Sequence, residues 1–92
     1  MIEIILNKLI DSVVKSEISW QVFHEKFSAV YHDEANSEAF NSLAQPIADY
    51  YDQIDNIIEY TDDNADSSER LKYGFTTSVQ SVEQIKKLKQ SL

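Results

Sequence analysis

Apolar side chains recur every three to four residues along most of this 92-residue chain, and that spacing limits the fold more than any other feature. In the first stretch the repeat is carried by Ile2, Ile5, Leu6, Leu9 and Val13. The chain has one Gly and one Pro, fewer than a sheet-rich domain usually needs for its turns. We therefore predict a single all-α domain over residues 1–92 with one small core.

The repeat predicts four amphipathic helices joined by short connections, near residues 2–15, 19–32, 37–60 and 68–90. Ser19 suits the N-cap of the second helix, because its hydroxyl can accept a hydrogen bond from a free N–H in the first turn. Pro46 has no N–H to donate, so we expect the third helix to bend there, or to break and restart with Pro46 in its first turn. Such helices are typical of a small antiparallel four-helix bundle.

The start of the last helix is the least certain boundary. The polar run DDNADSS, residues 62–68, predicts a loop. The helix that follows starts either at the serines that end this run or at Thr77, which has a glutamine at capping-box distance. Apolar spacing over residues 71–85 favours one continuous helix, although Gly74 lies within it.

Negative charge is concentrated in the middle of the chain, whose overall net charge is −8. Residues 27–69 hold eleven acids and no Lys or Arg, whereas residues 70–92 hold one acid and five bases. Within residues 49–66, seven carboxylates are interspersed with three tyrosines. Because such a surface repels phosphate, we expect no nucleic-acid partner and no membrane partner, and a basic protein is its natural complement.

No pattern of residues indicates catalysis, and we predict a protein that is not an enzyme and that uses no metal or cofactor. Asp62, Asn64 and Asp66 match the first ligands of a calcium loop. The rest of that loop fails, because Ser67 replaces its glycine and Tyr73 replaces its last glutamate. Cysteine is absent from the sequence, which excludes thiolate sites. The carboxylates lie on a polar face, where nothing raises their pKa as glycosidase chemistry requires.

The two histidines suggest no metal site either. His24 lies beside apolar residues of the second predicted helix, as a histidine at the edge of a core usually does. His32 is followed by two acids, but further zinc ligands at a recognisable spacing are missing from the sequence.

Two features favour a binding surface over a merely solvated face for the acidic segment. Lysine is not interspersed among the acids, although mixed charge is the simpler solution for solubility. Tyr60 is predicted on the polar side of the third helix and Tyr50 near its apolar border. Exposed tyrosines are favoured at protein interfaces, so Tyr60 is the predicted aromatic anchor.

Two stretches carry a family resemblance. LIDSVVKSEISWQVFHEKF, residues 9–27, contains a helix, a Lys-Ser-Glu-Ile-Ser break and a Phe-x-x-x-Phe helix. EYTDDNADSSERLKYGF, residues 59–75, places an acidic turn ahead of the last helix. With these features the chain resembles bacterial immunity proteins of the colicin D immunity type, which neutralise nuclease bacteriocins or contact-dependent growth inhibition toxins.

The resemblance implies a helical protein that forms a one-to-one complex with the basic nuclease domain of a toxin. The nuclease expected is an RNase. The carboxylates of the helical protein would occupy the places of substrate phosphates in an active site lined by Lys, Arg and His. Together with the aromatic anchor, the residues to which this interface is assigned are Glu59, Tyr60, Asp62, Asp63, Asp66, Asp55, Asp52 and Asp49. We expect charge reversal at the loop aspartates to leave the fold intact, because a polar loop carries them.

The resemblance also implies a location in the bacterial cytoplasm. The apolar start of the chain is too short and too charged to span a bilayer. It also lacks a basic leader and a cleavage site.

An alternative function is a helical adaptor or secretion-chaperone-like module that binds a partner helix in an apolar groove. Salt separates the two, because only the charge-driven complex loses association rate steeply as ionic strength rises.

Overall fold

The computed structural model describes residues 2–91, and these residues contain α-helices and no strand. In chain order the helices are α1 (Ile2–Val14), α2 (Trp20–Tyr31), α3 (Ser37–Asn41), α4 (Gln45–Glu59), α5 (Ser67–Tyr73) and α6 (Ser78–Gln90). A single 3-10 turn, Glu34–Asn36, follows α2. The predicted all-α class is confirmed. The predicted number of four helices is wrong, because the third and fourth predicted helices are each divided in two.

The first division lies just ahead of Pro46. Helix α3 ends at Asn41, and α4 begins at Gln45 with Pro46 in its first turn. A proline fits there because first-turn N–H groups have no partner inside a helix, so its missing donor costs nothing. The predicted break and restart at Pro46 is confirmed.

The second division lies at Gly74, which ends α5 with a φ of 75° and donates its N–H to the carbonyl of Arg70. Helix α6 then starts from Thr77, whose hydroxyl and the side chain of Gln80 form a capping box. The predicted continuous helix over 68–90 is therefore wrong, and the alternative start at Thr77 is correct. A left-handed glycine followed by a new N-cap ends one helix and begins another.

The four longer helices form the core. Helix α1 packs on α2 and α6, and α4 packs on the same two helices. The fully buried side chains come from all four and include Leu6, Ile10, Phe23, Phe27, Tyr51, Ile54, Ser81 and Ile85. Among the described residues, none of the helices is long and apolar enough to cross a membrane.

Several apolar residues predicted to face the core are exposed instead. Ile5 is 48% exposed because the buried stripe of α1 runs through Ile2, Leu6, Ile10 and Val13. Leu71 is 90% exposed, since the division at Gly74 separates α5 from the core face of α6.

A side-chain hydrogen bond of the core joins α1 to α4. The Tyr51 hydroxyl donates a hydrogen bond of 2.7 Å to Oδ1 of Asn7, while its ring is fully buried. Burial raises the pKa of Tyr51 to about 12, and the nearby carboxylate of Glu3 adds to the effect. Burial also raises the pKa of the neighbouring Tyr50. The fold therefore requires the neutral form of these phenols.

We expect the protein to lose stability at alkaline pH through Tyr51. A group whose pKa is raised by folding contributes stability that is complete below its unfolded pKa of about 10 and is lost as pH rises towards the folded value. Urea unfolding of the wild type and of Tyr51→Phe at neutral pH and at about pH 11 tests this. The variant should lose less stability over this interval than the wild type. Equal losses would contradict the assignment.

Gly74→Ala should destabilise the protein by about 1 to 2 kcal/mol, because only glycine adopts the left-handed conformation without penalty. A Cβ at this position meets no atom within 4 Å, so the effect comes from the backbone alone. Gly74→Asn is the matched comparison and should cost less, since asparagine visits this conformation more readily. Chemical denaturation measures both. Equal stability of the alanine variant and the wild type would argue against a strained junction.

Candidate functional site

Helix α4 has one face buried in the core and an opposite face that carries acidic residues. Its buried face consists of Tyr50, Tyr51, Ile54 and Ile58. On the outer face, Asp49, Asp52 and Glu59 are exposed to solvent. Tyr50, predicted near the apolar border, lies in the core and takes no part in the surface.

Asp55 is the acid of α4 whose side chain is bonded to a different part of the chain. Its Oδ1 lies 3.0 Å from Nε2 of His32, at the end of α2. This hydrogen-bonded pair borders a hollow of about 310 Å³ between α2 and α4, which His24 and Glu59 also line. His24 is exposed and not at the edge of the core as predicted. Asp55 thus links two helices, and its carboxylate is only partly available to a partner.

The loop after α4 is held to the start of α6 by a short parallel bridge between Thr61 and Thr76. The N–H of Asp62 donates to the carbonyl of Thr76, and the N–H of Thr76 donates to the carbonyl of Tyr60, each at 2.9 Å. Both threonines of the bridge also contact buried Ser81. Its hydroxyl lies 2.5 Å from the hydroxyl of Thr61 and 2.9 Å from the hydroxyl of Thr76. These bonds fix the acidic loop to the body of the protein.

The side chain of Arg70 also holds this loop in place. Its guanidinium donates to the backbone carbonyls of Asp62, Asp63 and Ala65 at 3.0 to 3.3 Å. Its Nη1 is buried without a hydrogen-bond partner among the described residues. Arg70 therefore contacts main-chain oxygens, and this leaves the carboxylates of the loop free to face outward or to bind N–H groups.

Each loop aspartate has a defined backbone partner. Oδ1 of Asp62 accepts from the N–H of Asn64 at 2.9 Å. Asp63 accepts from the N–H of Ser78 at 2.7 Å, and this bond at the first turn of α6 holds the pKa of its carboxyl below the ordinary value. Asp66 caps α5 through a capping box with Glu69. Charge reversal here would also remove these bonds, so we expect a lysine at Asp63 or Asp66 to lower the stability of the protein as well as its charge.

The carboxylates remain accessible despite these bonds. Asp63 and Asp66 are exposed, as is Glu59, and Tyr60 is 50% exposed. The structure therefore brings Glu59, Tyr60, Asp63 and Asp66 to one end of the molecule, with Asp62 half-buried among them. Asp49 and Asp52 lie on the preceding turns of α4.

From the basic tail, Arg70 lies at this end of the molecule, and its positive charge contributes to the lowered pKa of Asp63. Within residues 2–91 the ion pair between a Lys or Arg and a carboxylate is Lys89–Asp11, which joins α6 to α1. The surface formed by Asp49, Asp52, Glu59, Tyr60, Asp62, Asp63 and Asp66 is named here the acidic surface. Its negative potential is thus available to a partner of opposite charge.

Three carboxylates of the acidic surface, those of Asp62, Asp63 and Asp66, accept hydrogen bonds from backbone N–H groups. Within the part of the chain that the structure describes, acidic and histidine side chains do not come together in threes as a metal ion would need. Asp62 and Asp66, the residues that match a calcium loop, instead bind backbone N–H groups.

Two aromatic residues that were not predicted for the site lie beside Tyr60. The ring of Phe75 is centred 6.5 Å from that of Tyr60 and 5.7 Å from that of Tyr73. The periodicity assigned Phe75 to the core of a continuous helix. Only the break at Gly74, with the bridge between Thr61 and Thr76, brings these rings together.

In comparisons with protein-family models, with curated proteins and with solved structures, nothing matches this chain. The function is accordingly argued from the acidic surface.

Asp66→Ala should destabilise the protein by about 1 kcal/mol, whereas Asp66→Asn should stay within a few tenths of the wild type. Asparagine keeps the oxygen that accepts from Glu69 N–H but carries no charge. Urea denaturation of both variants at neutral pH is the measurement. If the two variants unfold alike, the cap contributes nothing beyond its charge.

Proposed function

We propose that this chain is an immunity protein that binds a cognate toxin nuclease domain and blocks its basic active site with the acidic surface. The observation that carries the proposal is an exposed set of carboxylates around a half-exposed tyrosine, in a segment without Lys or Arg. Nucleases that cut RNA bind phosphates with cationic side chains, and carboxylates can pair with the same cationic groups. The partner is a basic protein domain, bound one to one, in the bacterial cytoplasm.

Rigidity of the acidic surface supports this function. The loop is tied down by the Thr61–Thr76 bridge and by Arg70, so its carboxylates are ordered before a partner arrives. Preorganised groups lose less conformational entropy on binding. We further propose that α1, α2, α4 and α6 act as one antiparallel four-helix bundle that carries the surface, with the shorter α3 and α5 as connections.

The proposed interface centres on the accessible groups. Glu59, Tyr60, Asp63 and Asp66 form its centre, and Asp49 and Asp52 extend it along α4. Asp55 and Asp62 support the surface from within, since one pairs with His32 and the other shapes the loop turn.

A second candidate function rests on a different surface. Helices α1 and α2 border a groove of about 720 Å³ whose lining includes Ile4, Ile5, Leu9 and Val30 together with Lys8 and Lys26. An apolar groove with lysines at its edge suits an amphipathic helix that carries acidic residues. This is the adaptor or secretion-chaperone-like alternative. It uses the opposite sign of charge from the acidic surface.

A genetic experiment tests the principal proposal. The C-terminal domain of a large exported protein encoded immediately upstream is the candidate toxin, and its expression alone should arrest growth. Coexpression of this chain should restore growth, and the purified pair should form a one-to-one complex without nuclease activity. The proposal would be refuted if the nuclease remained active in the complex. It would also be refuted if the toxin domain arrested growth equally with and without this chain.

Removing charge from the acidic surface should weaken the complex while the fold survives. We suggest Asp52→Lys with Glu59→Lys, whose side chains are exposed on α4, and separately Asp63→Asn with Asp66→Asn, which keep both caps. Each surface pair should contribute up to about 1 kcal/mol at a wet edge and several kcal/mol if it is desolvated. Calorimetric titration against the toxin domain gives the affinities.

The control is charge reversal at Glu3 and Glu17, two exposed acids that lie outside the acidic surface. Asp11 is unsuitable as a control because it pairs with Lys89. The control should bind like the wild type. If it loses as much affinity as the surface variants, only the bulk charge of the protein matters.

Salt then separates the two candidate functions. If the acidic surface binds, the association rate should fall steeply between low and physiological ionic strength. If the groove between α1 and α2 binds mainly through apolar contacts, the rate should change little. In that case Ile4→Ser with Ile5→Ser, two exposed substitutions, should weaken the complex instead.

A further inference from the structure

Three aromatic rings form a continuous row at the edge of the acidic surface. The ring centres of Tyr60 and Phe75 are 6.5 Å apart, and those of Phe75 and Tyr73 are 5.7 Å apart. Both tyrosines have about half of their surface exposed, at 50% and 51%, and Phe75 between them is half-buried. We name Tyr60, Phe75 and Tyr73 the aromatic row.

The row is built from three segments that fix its geometry. Tyr60 ends α4, and its carbonyl accepts the N–H of Thr76, so Phe75 is held beside it. The left-handed turn at Gly74 separates Tyr73, at the end of α5, from Phe75. Main-chain bonds therefore hold together the segments that carry the three rings, and both tyrosines remain half-exposed.

The row already attracts a cation within the chain. The ammonium of Lys72 lies 5.3 Å from the centre of the Tyr73 ring. Aromatic faces attract ammonium and guanidinium groups at this distance, because the ring quadrupole is negative above the plane. The rings thus offer a cation-binding face, and one end of the row is occupied by the protein's own lysine.

The charge around the other end of the row favours a cation from outside. Glu59 directly precedes Tyr60, and Asp62 and Asp63 follow within three residues. The N–H of Asp62 donates to the carbonyl of Thr76, and the N–H of Ser78 donates to Asp63, so this acidic loop is tied to the residues that follow Phe75. A cation at Tyr60 and Phe75 therefore gains from the ring faces and from the carboxylates together.

We propose that the aromatic row receives an arginine side chain of the basic partner and selects arginine over lysine at this position. The inference rests on the proposed function, which supplies a basic protein partner, and it adds Tyr73 and Phe75 to the interface. A planar guanidinium stacks on an aromatic ring while its N–H groups still reach carboxylates in the same plane. A lysine ammonium is more strongly hydrated and has no flat face to stack.

Two synthetic peptides test the preference without the natural partner. They share a glycine–serine sequence and a net positive charge, and they differ only in carrying arginine or lysine at every charged position. Titration at low ionic strength, followed by the aromatic NMR signals of the protein, gives both affinities. The arginine peptide should bind more tightly, and the signals of Tyr60 and Phe75 should move most.

Ring variants then locate the preference. Tyr60→Leu and Tyr73→Leu should each weaken the arginine peptide by about twofold to fivefold, the range of an exposed cation–π contact, and the lysine peptide by less. Leu71→Ala is the matched control, because Leu71 is exposed on α5 but has no ring. It should leave both affinities unchanged. Circular dichroism and urea unfolding check that each variant folds.

The outcomes separate the two proposals. If both peptides bind the wild type equally and the ring variants change neither affinity, the arginine site is wrong while the acidic surface still attracts basic partners. If neither peptide binds at low ionic strength, the acidic surface itself fails and the proposed function fails with it. A preference for arginine that both ring variants remove supports the site.

Discussion

Burial of one face of α4 is the interaction on which the rest of the structure depends. This helix places Tyr51 and Ile54 fully inside the core, while its other face carries exposed carboxylates. Full burial of one large apolar side chain stabilises the fold by about 1.5–3 kcal/mol. A pair of exposed like charges on the surface opposes folding by less than about 1 kcal/mol. Apolar burial therefore outweighs the repulsion within the acidic segment, and the segment can stay acidic.

The acidic loop is held by a different kind of bond. Within the described residues its aspartates form no ion pair with a Lys or Arg, and Asp66 and Asp63 accept hydrogen bonds from backbone N–H groups at the first turns of α5 and α6. Arg70 meanwhile binds main-chain carbonyls. Because helix N-termini favour negative charge, these carboxylates stabilise the fold and keep their charge. The same residues can thus support the structure and face a partner.

The acids therefore fall into two groups. One group is exposed on the surface without stabilising the fold, and the other group also stabilises it. Asp52 and Glu59 lie on an exposed helix face, whereas Asp63 and Asp66 also cap helices. If a variant of Asp52 or Glu59 no longer protects the cell from the toxin, the loss reports on binding. Loss in a variant of the second kind can also report on folding, unless the substitution keeps the accepting oxygen as asparagine does.

Much of the helical order follows from the sequence alone. Three of the four buried residues of α1, the Ser19 cap and the restart of the chain at Pro46 depend on residues within one or two turns of each other, and short-range patterns predict them. The same is true of the concentration of carboxylates and of the exposure of Tyr60. These features were predictable because helical periodicity and capping act over neighbouring residues.

The tertiary structure alone decided how distant residues meet. The His32–Asp55 pair, the bond from Asp63 to Ser78 and the contact of Tyr60 with Phe75 join residues that lie 15 to 23 positions apart. Local spacing cannot encode such contacts, because they depend on the path of the chain through the break at Gly74 and the bridge at Thr61. The sequence therefore determined the helices and the location of the charge. The packing of α4 and α6 determined which carboxylates became caps, which paired with a histidine and which remained exposed.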